Sequence, residues 1–151
     1  MISHPDARPN HLVPADEVMT GAELRTVTDA LGLAHVDLAR MLEVHERTIR
    51  SWMTGRDPIP DGVRLTVEDW EARTVDEVEA VVAMFRDRPG EPVLPVWTDN
   101  QQMWDVMPRL HPFPARWWRH VVYRAATELT GARIEPWTPD WGEDSDAKKL
   151  V

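Results

Sequence analysis

The sequence predicts a mainly α-helical protein in which a helical amino-terminal region precedes a small α+β module. Apolar residues recur at helical spacing in three short stretches over residues 20–54, and a longer helical pattern follows over residues 60–86. Farther along, two short β-like segments flank the strongest amphipathic helix of the carboxyl half. A chain of 151 residues is long enough for two such modules.

The chain is predicted to divide into four segments. Residues 1–18 contain three prolines and no helical period, which predicts a flexible arm. Residues 19–88 form the helical region, and the hinge-like stretch DRPGEP ends it. Residues 89–137 form the α+β module, and the polar residues 138–151 are expected to be a disordered tail.

The first helix begins at a clear start signal. Thr20 and Glu23 have the spacing of a capping box, in which each side chain accepts a hydrogen bond from the other residue's backbone. Met19 and Leu24 are placed to form the accompanying hydrophobic staple. Gly32 is expected to end this helix.

Two more short helices and one long helical pattern complete the first region. The short helices are predicted over residues 34–42 and 46–53, and Gly55 ends the second of them. The pattern over residues 60–86 is compatible with one long helix or with two, because Thr74-Val75-Asp76-Glu77 repeats the capping-box form.

The sequence of the carboxyl half predicts a strand, two helices and a candidate second strand. VLPVW over residues 93–97 is strand-like, and its proline favours an edge position. Residues 98–101 are expected to cap a helix, and residues 115–131 form the strongest helix, with Pro114 suited to its first turn. ARIEPW over residues 132–137 is a candidate second strand.

The net charge of −9 argues against a general nucleic-acid coat protein, because such proteins neutralise phosphates with many Lys and Arg residues. The acidic residues are unevenly distributed. Residues 61–88 carry −4, whereas residues 44–56 carry three arginines against one glutamate. A dipolar molecule of this kind can direct one basic edge toward DNA.

Several function classes have no support in the sequence. The absence of cysteine excludes disulfides and thiol catalysis, and no glycine-rich phosphate loop or nucleophile-elbow motif occurs. The six histidines form no ligand-like cluster, so neither a metal, another cofactor nor enzymatic activity is expected. No apolar run has membrane-spanning length and no signal-peptide pattern is present, which predicts a cytoplasmic protein.

The segment LGLAHVDLARMLEVHERTIRSWMTG over residues 31–55 resembles the helix-turn-helix of the Cro and cI-type (XRE) repressors. The resemblance implies a lambda-repressor-like bundle. Two positions depart from the family pattern: Glu43 replaces the usual glycine of a turn that often needs positive φ, and His45 replaces the usual Ser or Thr cap. Residues at the family's buried positions are Leu38, Ala39, Leu42, Val44, Ile49 and Trp52.

The same resemblance assigns DNA contacts by position. Base edges would be contacted from the third helix, and phosphates from its flanks and from the start of the second helix. The implied base contacts are Glu46, Arg47 and Ser51, and the implied phosphate contacts are His35, Thr48, Arg50 and Arg56.

The carboxyl half is similar, more diffusely, to YdiL-like regulators and to the autorepressors that accompany phage anti-CRISPR genes. The stretches VLPVWTDNQQMW and FPARWWRHVVYRAATEL carry this similarity, which implies a dimerisation module. Large aromatic side chains are enriched in interface cores, although they also fill the cores of small domains, and a mixture is expected. The candidate interface residues are Trp97, Trp104, Trp117, Trp118 and Val121.

Together these features predict a dimeric, sequence-specific DNA-binding regulator, most simply an autorepressor that binds a short inverted repeat in double-stranded DNA through residues 45–53. The alternative is an antitoxin or adaptor-type interaction module, with a toxin or a polymerase subunit as its protein partner.

Overall fold

The computed structural model describes residues 18–141, so residues 1–17 of the predicted flexible arm and residues 142–151 of the predicted disordered tail lie outside the described residues. Residues 138–141 of the predicted tail form a turn in which the Trp141 amide donates to the Thr138 carbonyl at 2.8 Å. The described chain is mainly helical, with six α-helices and one two-stranded parallel sheet. In order, the elements are α1 (Gly21–Ala30), α2 (His35–Leu42), α3 (Glu46–Thr54), α4 (Asp61–Arg86), β1 (Val93–Val96), α5 (Asn100–Val106), a single 3₁₀ turn (Pro108–Leu110), α6 (Ala115–Thr127) and β2 (Arg133–Pro136). No helix in this part of the chain is both long and apolar enough to cross a membrane.

The described residues divide into two compact units, and the division falls between Thr74 and Val75 rather than at the hinge after residue 88. The reason is that α4 is one continuous helix of 26 residues, whose later turns belong with the elements that follow. Thr74 does not cap a new helix, because its hydroxyl donates a hydrogen bond of 2.7 Å back to the Trp70 carbonyl. This settles the alternative between one helix and two.

The first unit begins as predicted. The Thr20 hydroxyl accepts from the Glu23 amide at 3.1 Å, and the Glu23 carboxylate accepts from the Thr20 amide at 3.2 Å, so both capping-box bonds are formed. Met19 and Leu24, the predicted staple pair, are both buried. α2 lacks a side-chain cap at Ala34, but the Asp37 carboxylate accepts from the Ala34 amide at 2.8 Å.

The core of the first unit lies where α3 packs against α1 and α2. Leu24, Leu38 and Ile49 are completely buried, one from each helix, and Trp52 is nearly so. Of the six positions that the repressor resemblance expects to be buried, three are only half-buried: Ala39, Leu42 and Val44.

The second unit contains the sheet, and the second strand predicted within residues 132–137 is confirmed. β1 and β2 pair in parallel, with Val93 opposite Arg133 and Val96 opposite Pro136. A parallel pair requires a long crossover connection. Here α5, the 3₁₀ turn and α6 provide it, and α6 packs against both strands.

Buried aromatic side chains dominate the core of the second unit. Trp97, Trp117 and Trp118 are at most 1% exposed, and the rings of Trp97 and Trp118 lie 6.3 Å apart. The Trp118 Nε1 donates to the Pro95 carbonyl at 2.7 Å, which ties α6 to β1. Because Pro114 cannot cap α6 with its side chain, the Asn100 side-chain oxygen accepts from the Ala115 amide at 2.8 Å.

Candidate nucleic-acid interface

α3 has one buried and one exposed side. Ile49 and Trp52 face the core, while Glu46, Arg47 and Arg50 are exposed. Thr54 is also exposed, so positions 47, 50 and 54 form an outward stripe at i, i+3 and i+7. The packed side of α3 therefore fixes the helix against the core, and the exposed side presents two arginines to solvent.

The start of α3 has an unusual cap. The Nδ1 atom of His45 accepts a hydrogen bond of 3.2 Å from the Arg47 amide, so the imidazole caps the helix in place of the usual serine or threonine hydroxyl. The first turn of α3 is thereby stabilised at the point where Glu46 and Arg47 project.

The connection between α2 and α3 is a tight turn whose first residue has left-handed backbone geometry. Glu43 has φ +56° and ψ +44°, which confirms the expectation that this turn requires positive φ. After it, the Val44 amide donates to the Ala39 carbonyl at 3.0 Å. The glutamate adopts the conformation that usually calls for glycine, at a cost of roughly 1–2 kcal/mol.

Gly21, which lies within the capping-box sequence of α1, positions α3. A β-carbon at Gly21 would lie 2.4 Å from the Trp52 carbonyl oxygen and 2.5 Å from that of Met53, and both are backbone atoms. The first turn of α1 therefore rests directly on the last turn of α3. Glycine at the first position of a helix, where better helix formers are available, was the signal that could have indicated this contact.

Ser51 does not present its side chain for a base contact. It is 5% exposed, and its hydroxyl donates to the Asp57 carboxylate. Its carbonyl also accepts from the Arg56 amide at 3.0 Å and from the Asp57 amide at 3.3 Å. The expected base contact is corrected accordingly: Ser51 holds the turn after α3, and Asp57 is a structural residue that sequence reasoning missed.

The remaining predicted contact residues differ in exposure and in the element that carries them. Arg56 is exposed in the turn that Ser51 holds, and Thr48 is half-buried. His35 is half-buried at the amino end of α2. Arg50, assigned to phosphates by position, lies on the same stripe as Arg47.

Arginines outnumber acidic residues along α3 itself. Residues 44–56 carry Arg47, Arg50 and Arg56 against the single acidic residue Glu46, and the exposed Glu43 and Asp57 lie directly on either side of this range. None of these arginines forms an ion pair with another residue of the described range 18–141. Their guanidinium groups are available for an external anion.

The predicted dimer-interface residues are mostly core residues. Trp117, Trp118 and Val121 are 0% exposed and Trp97 is 1% exposed within a single chain, so they have no free surface to offer a partner. Trp104 is half-buried, and its Nε1 donates to the Phe113 carbonyl at 2.8 Å. Large exposed apolar side chains occur elsewhere: Val18, Val36, Tyr123 and Ile134.

Within residues 18–141, no group of three or more His, Asp and Glu side chains is arranged to hold a metal ion. Comparison with models of known protein families yields no match, and neither does comparison with curated proteins.

Proposed function

We propose that this chain is a sequence-specific DNA-binding regulator, in which α2, its turn and α3 act as a repressor-type helix-turn-helix. The observation that carries the proposal is the outward stripe of α3. Arg47 and Arg50 project from a short helix whose other side is anchored by Ile49 and Trp52. Such a helix, with exposed arginines and a packed underside, suits insertion into the major groove.

The side chains of the stripe have suitable chemistry for base recognition. Arg47 can donate two parallel hydrogen bonds to the O6 and N7 atoms of guanine, and Glu46 can accept from N4 of cytosine. Arg50, on the same stripe, is close enough along the helix to contact the neighbouring base step or phosphate.

Flanking residues would fix the orientation of the helix on the duplex. Arg56 in the following turn, together with Thr48 and His35, would contact phosphates. These contacts are independent of base sequence.

As a dimer, the protein would bind an inverted repeat whose halves lie about 34 Å apart, and it would repress by occupying a promoter. Three of the four tryptophans predicted at the interface are already covered in one chain, so the dimer contact falls to surface residues such as Ile134, which is 43% exposed.

Selection of bound sequences from random duplex DNA tests the proposal, because it reports binding, symmetry and half-site spacing together. On the selected site, Arg47→Ala should lose roughly 1–3 kcal/mol of binding free energy and flatten the preference at one base step. Arg56→Ala should weaken all sequences by a similar factor. Arg86→Ala, on an exposed arginine at the end of α4, is the matched control.

Failure to enrich any sequence would contradict the proposal. Equal effects of Arg47→Ala and Arg56→Ala on sequence preference would contradict the assignment of their roles.

The alternative is an antitoxin or adaptor with a toxin or a polymerase subunit as its partner. Val36, near the start of α2, is 56% exposed, but a single exposed apolar side chain is ordinary on a protein surface, so the described residues do not favour this alternative over DNA binding. A DNA mobility shift that salt abolishes would favour the DNA-binding proposal, whereas no shift at low salt would favour the adaptor.

A further inference from the structure

The solvent side of α6 carries a second basic surface, which the assignments above do not use. Arg116, His120, Tyr123, Arg124 and Thr127 occupy positions i, i+4, i+7, i+8 and i+11 of this helix. All are exposed except His120, which is half-buried, and Tyr123 is 66% exposed. We call these five residues the cationic face of α6.

The surrounding sequence is depleted of acid. Residues 106–127 contain four arginines and two histidines but no aspartate or glutamate, in a chain that carries 26 acidic residues elsewhere. A solvated helix surface of an acidic protein would ordinarily interleave charges of both signs. The cationic face therefore stands apart from the chain's general composition.

The two arginines of this face are not engaged by other described residues. Within the described part of the chain, neither Arg116 nor Arg124 forms an ion pair. Arg119 differs, because one of its guanidinium nitrogens donates to the Trp97 carbonyl at 2.8 Å and so anchors α6 beside β1. The opposite side of α6 is fully buried at Trp117, Trp118 and Val121, so the cationic face is held in a defined orientation.

The geometry points to an extended anion rather than a single one. Arg116 and Arg124 are eight residues apart, which corresponds to about 12 Å along a helix axis. One strand of duplex DNA carries a phosphate about every 3.4 Å of axial rise, so this distance covers several phosphates. The planar guanidinium fork suits phosphate oxygens, and the Tyr123 and Thr127 hydroxyls are further donors of a kind that contacts the DNA backbone.

We propose that the cationic face of α6 binds the phosphate backbone of duplex DNA, as a contact surface separate from α3. The choice of duplex DNA over another polyanion rests on the proposed function. The contact is independent of base sequence, so it would add affinity without altering which sequence is preferred.

The test is the salt dependence of binding by Arg116→Gln/Arg124→Gln, measured on full-length protein with random duplex DNA and with a selected sequence. Each phosphate contact contributes about 0.9 to the slope of log affinity against log salt concentration. Loss of two contacts should therefore lower the magnitude of the slope by about 2 on both DNAs. Affinity for the two DNAs should fall by the same factor, so that their ratio is unchanged.

Two control variants distinguish the loss of phosphate contacts at the cationic face from a general loss of positive charge. Arg86→Gln/Arg133→Gln removes the same net charge from exposed positions outside the cationic face and should leave the slope nearly unchanged. Arg116→Lys/Arg124→Lys retains both charges and should restore most of the slope. All the substituted arginines are exposed, and the surface ion pair between Arg133 and Glu135 contributes little to stability, so the thermal unfolding of all three variants should match that of the parent.

An unchanged slope in Arg116→Gln/Arg124→Gln would overturn the inference, as would an equal reduction in the Arg86→Gln/Arg133→Gln control. Competition by polyglutamate as effective as that by DNA at equal charge would also overturn it, because an acidic protein partner would then be favoured.

The two proposals can fail separately. If no sequence is enriched but the cationic-face variant still reduces the slope on random DNA, the α3 proposal fails and the α6 inference stands. If a sequence is enriched and the cationic-face variant does not change the slope, the α6 inference fails and the α3 proposal stands.

Discussion

At the scale of single residues, two glycines in first turns of helices have opposite surroundings. Gly21 of α1 is pressed against the carbonyls of Trp52 and Met53, whereas a β-carbon at Gly62 of α4 would meet nothing within 4 Å. The same substitution should therefore change stability in opposite directions at the two sites.

We predict that Gly21→Ala lowers the free energy of unfolding by about 1–3 kcal/mol, because an added methyl group must displace backbone atoms of α3. Gly62→Ala should raise it by about 0.4–1 kcal/mol, since alanine reduces the entropy of the unfolded chain and fits the open site. Urea denaturation followed by helical circular dichroism measures both. Equal stabilisation by the two substitutions would show that α1 does not rest on α3.

At the scale of elements, the carboxyl end of α3 is held by a link between Ser51 and Asp57. We predict that Ser51→Ala costs about 1–2 kcal/mol of stability, because a hydrogen bond to a charged partner is lost. A double-mutant cycle with Asp57→Ala should show strong non-additivity. DNA affinity should fall equally for all sequences, and a change of base preference would instead restore Ser51 as a base contact.

The packed side of α6 allows a test of whether its tryptophans form the core of a single chain or a dimer interface. Trp117 is completely buried in a single chain and Tyr123 is 66% exposed. We predict that Trp117→Ala lowers stability by about 3–5 kcal/mol, whereas Tyr123→Ala changes it by less than about 0.5 kcal/mol. Thermal unfolding at two protein concentrations measures this. If Trp117→Ala dissociated an oligomer without destabilising the chain, the burial argument would be refuted.

Local signals made several elements predictable from sequence. The capping box at Thr20, the glycine after α3 and the strained turn at Glu43 each depend on neighbouring residues only, and each is found as expected. The burial of Ser51 is not visible in the sequence, because this residue lies at the border between the two sides of α3, where a partner six residues away decides its orientation.

Other features depend on tertiary packing, which cannot be predicted from the local pattern of a single sequence. The periodicity of α6 predicts that Trp117 and Trp118 share an apolar side, but not whether this chain or a partner covers them. The division at Thr74 coincides with the capping-box form of residues 74–77, but α4 continues through that point as one helix, so the local pattern does not show that contacts divide there. The cationic face of α6 was overlooked because its charges are spread along a sequence rich in apolar residues.

At the scale of the whole molecule, an acidic chain with local basic surfaces should respond to salt in two opposite ways. We predict that raising sodium chloride from roughly 50 to 200 mM weakens DNA binding by about tenfold or more, given two or more phosphate contacts. The same change should raise the unfolding temperature, because it screens repulsion among the acidic residues that give the net charge of −9. Titrations and melting curves in matched buffers measure both, and a parallel decline of affinity and unfolding temperature would contradict the prediction.

The positions of the indole rings determine which part of the chain tryptophan fluorescence and near-ultraviolet dichroism report on. Six of its eight tryptophans follow Thr74, and Trp97 stacks on Trp137 with ring centres 6.0 Å apart. Intrinsic fluorescence and near-ultraviolet dichroism will thus report chiefly on the second unit. A lesion confined to the first three helices would change those optical signals chiefly through Trp52, one indole among eight, so only a small change in emission would accompany a displaced α3.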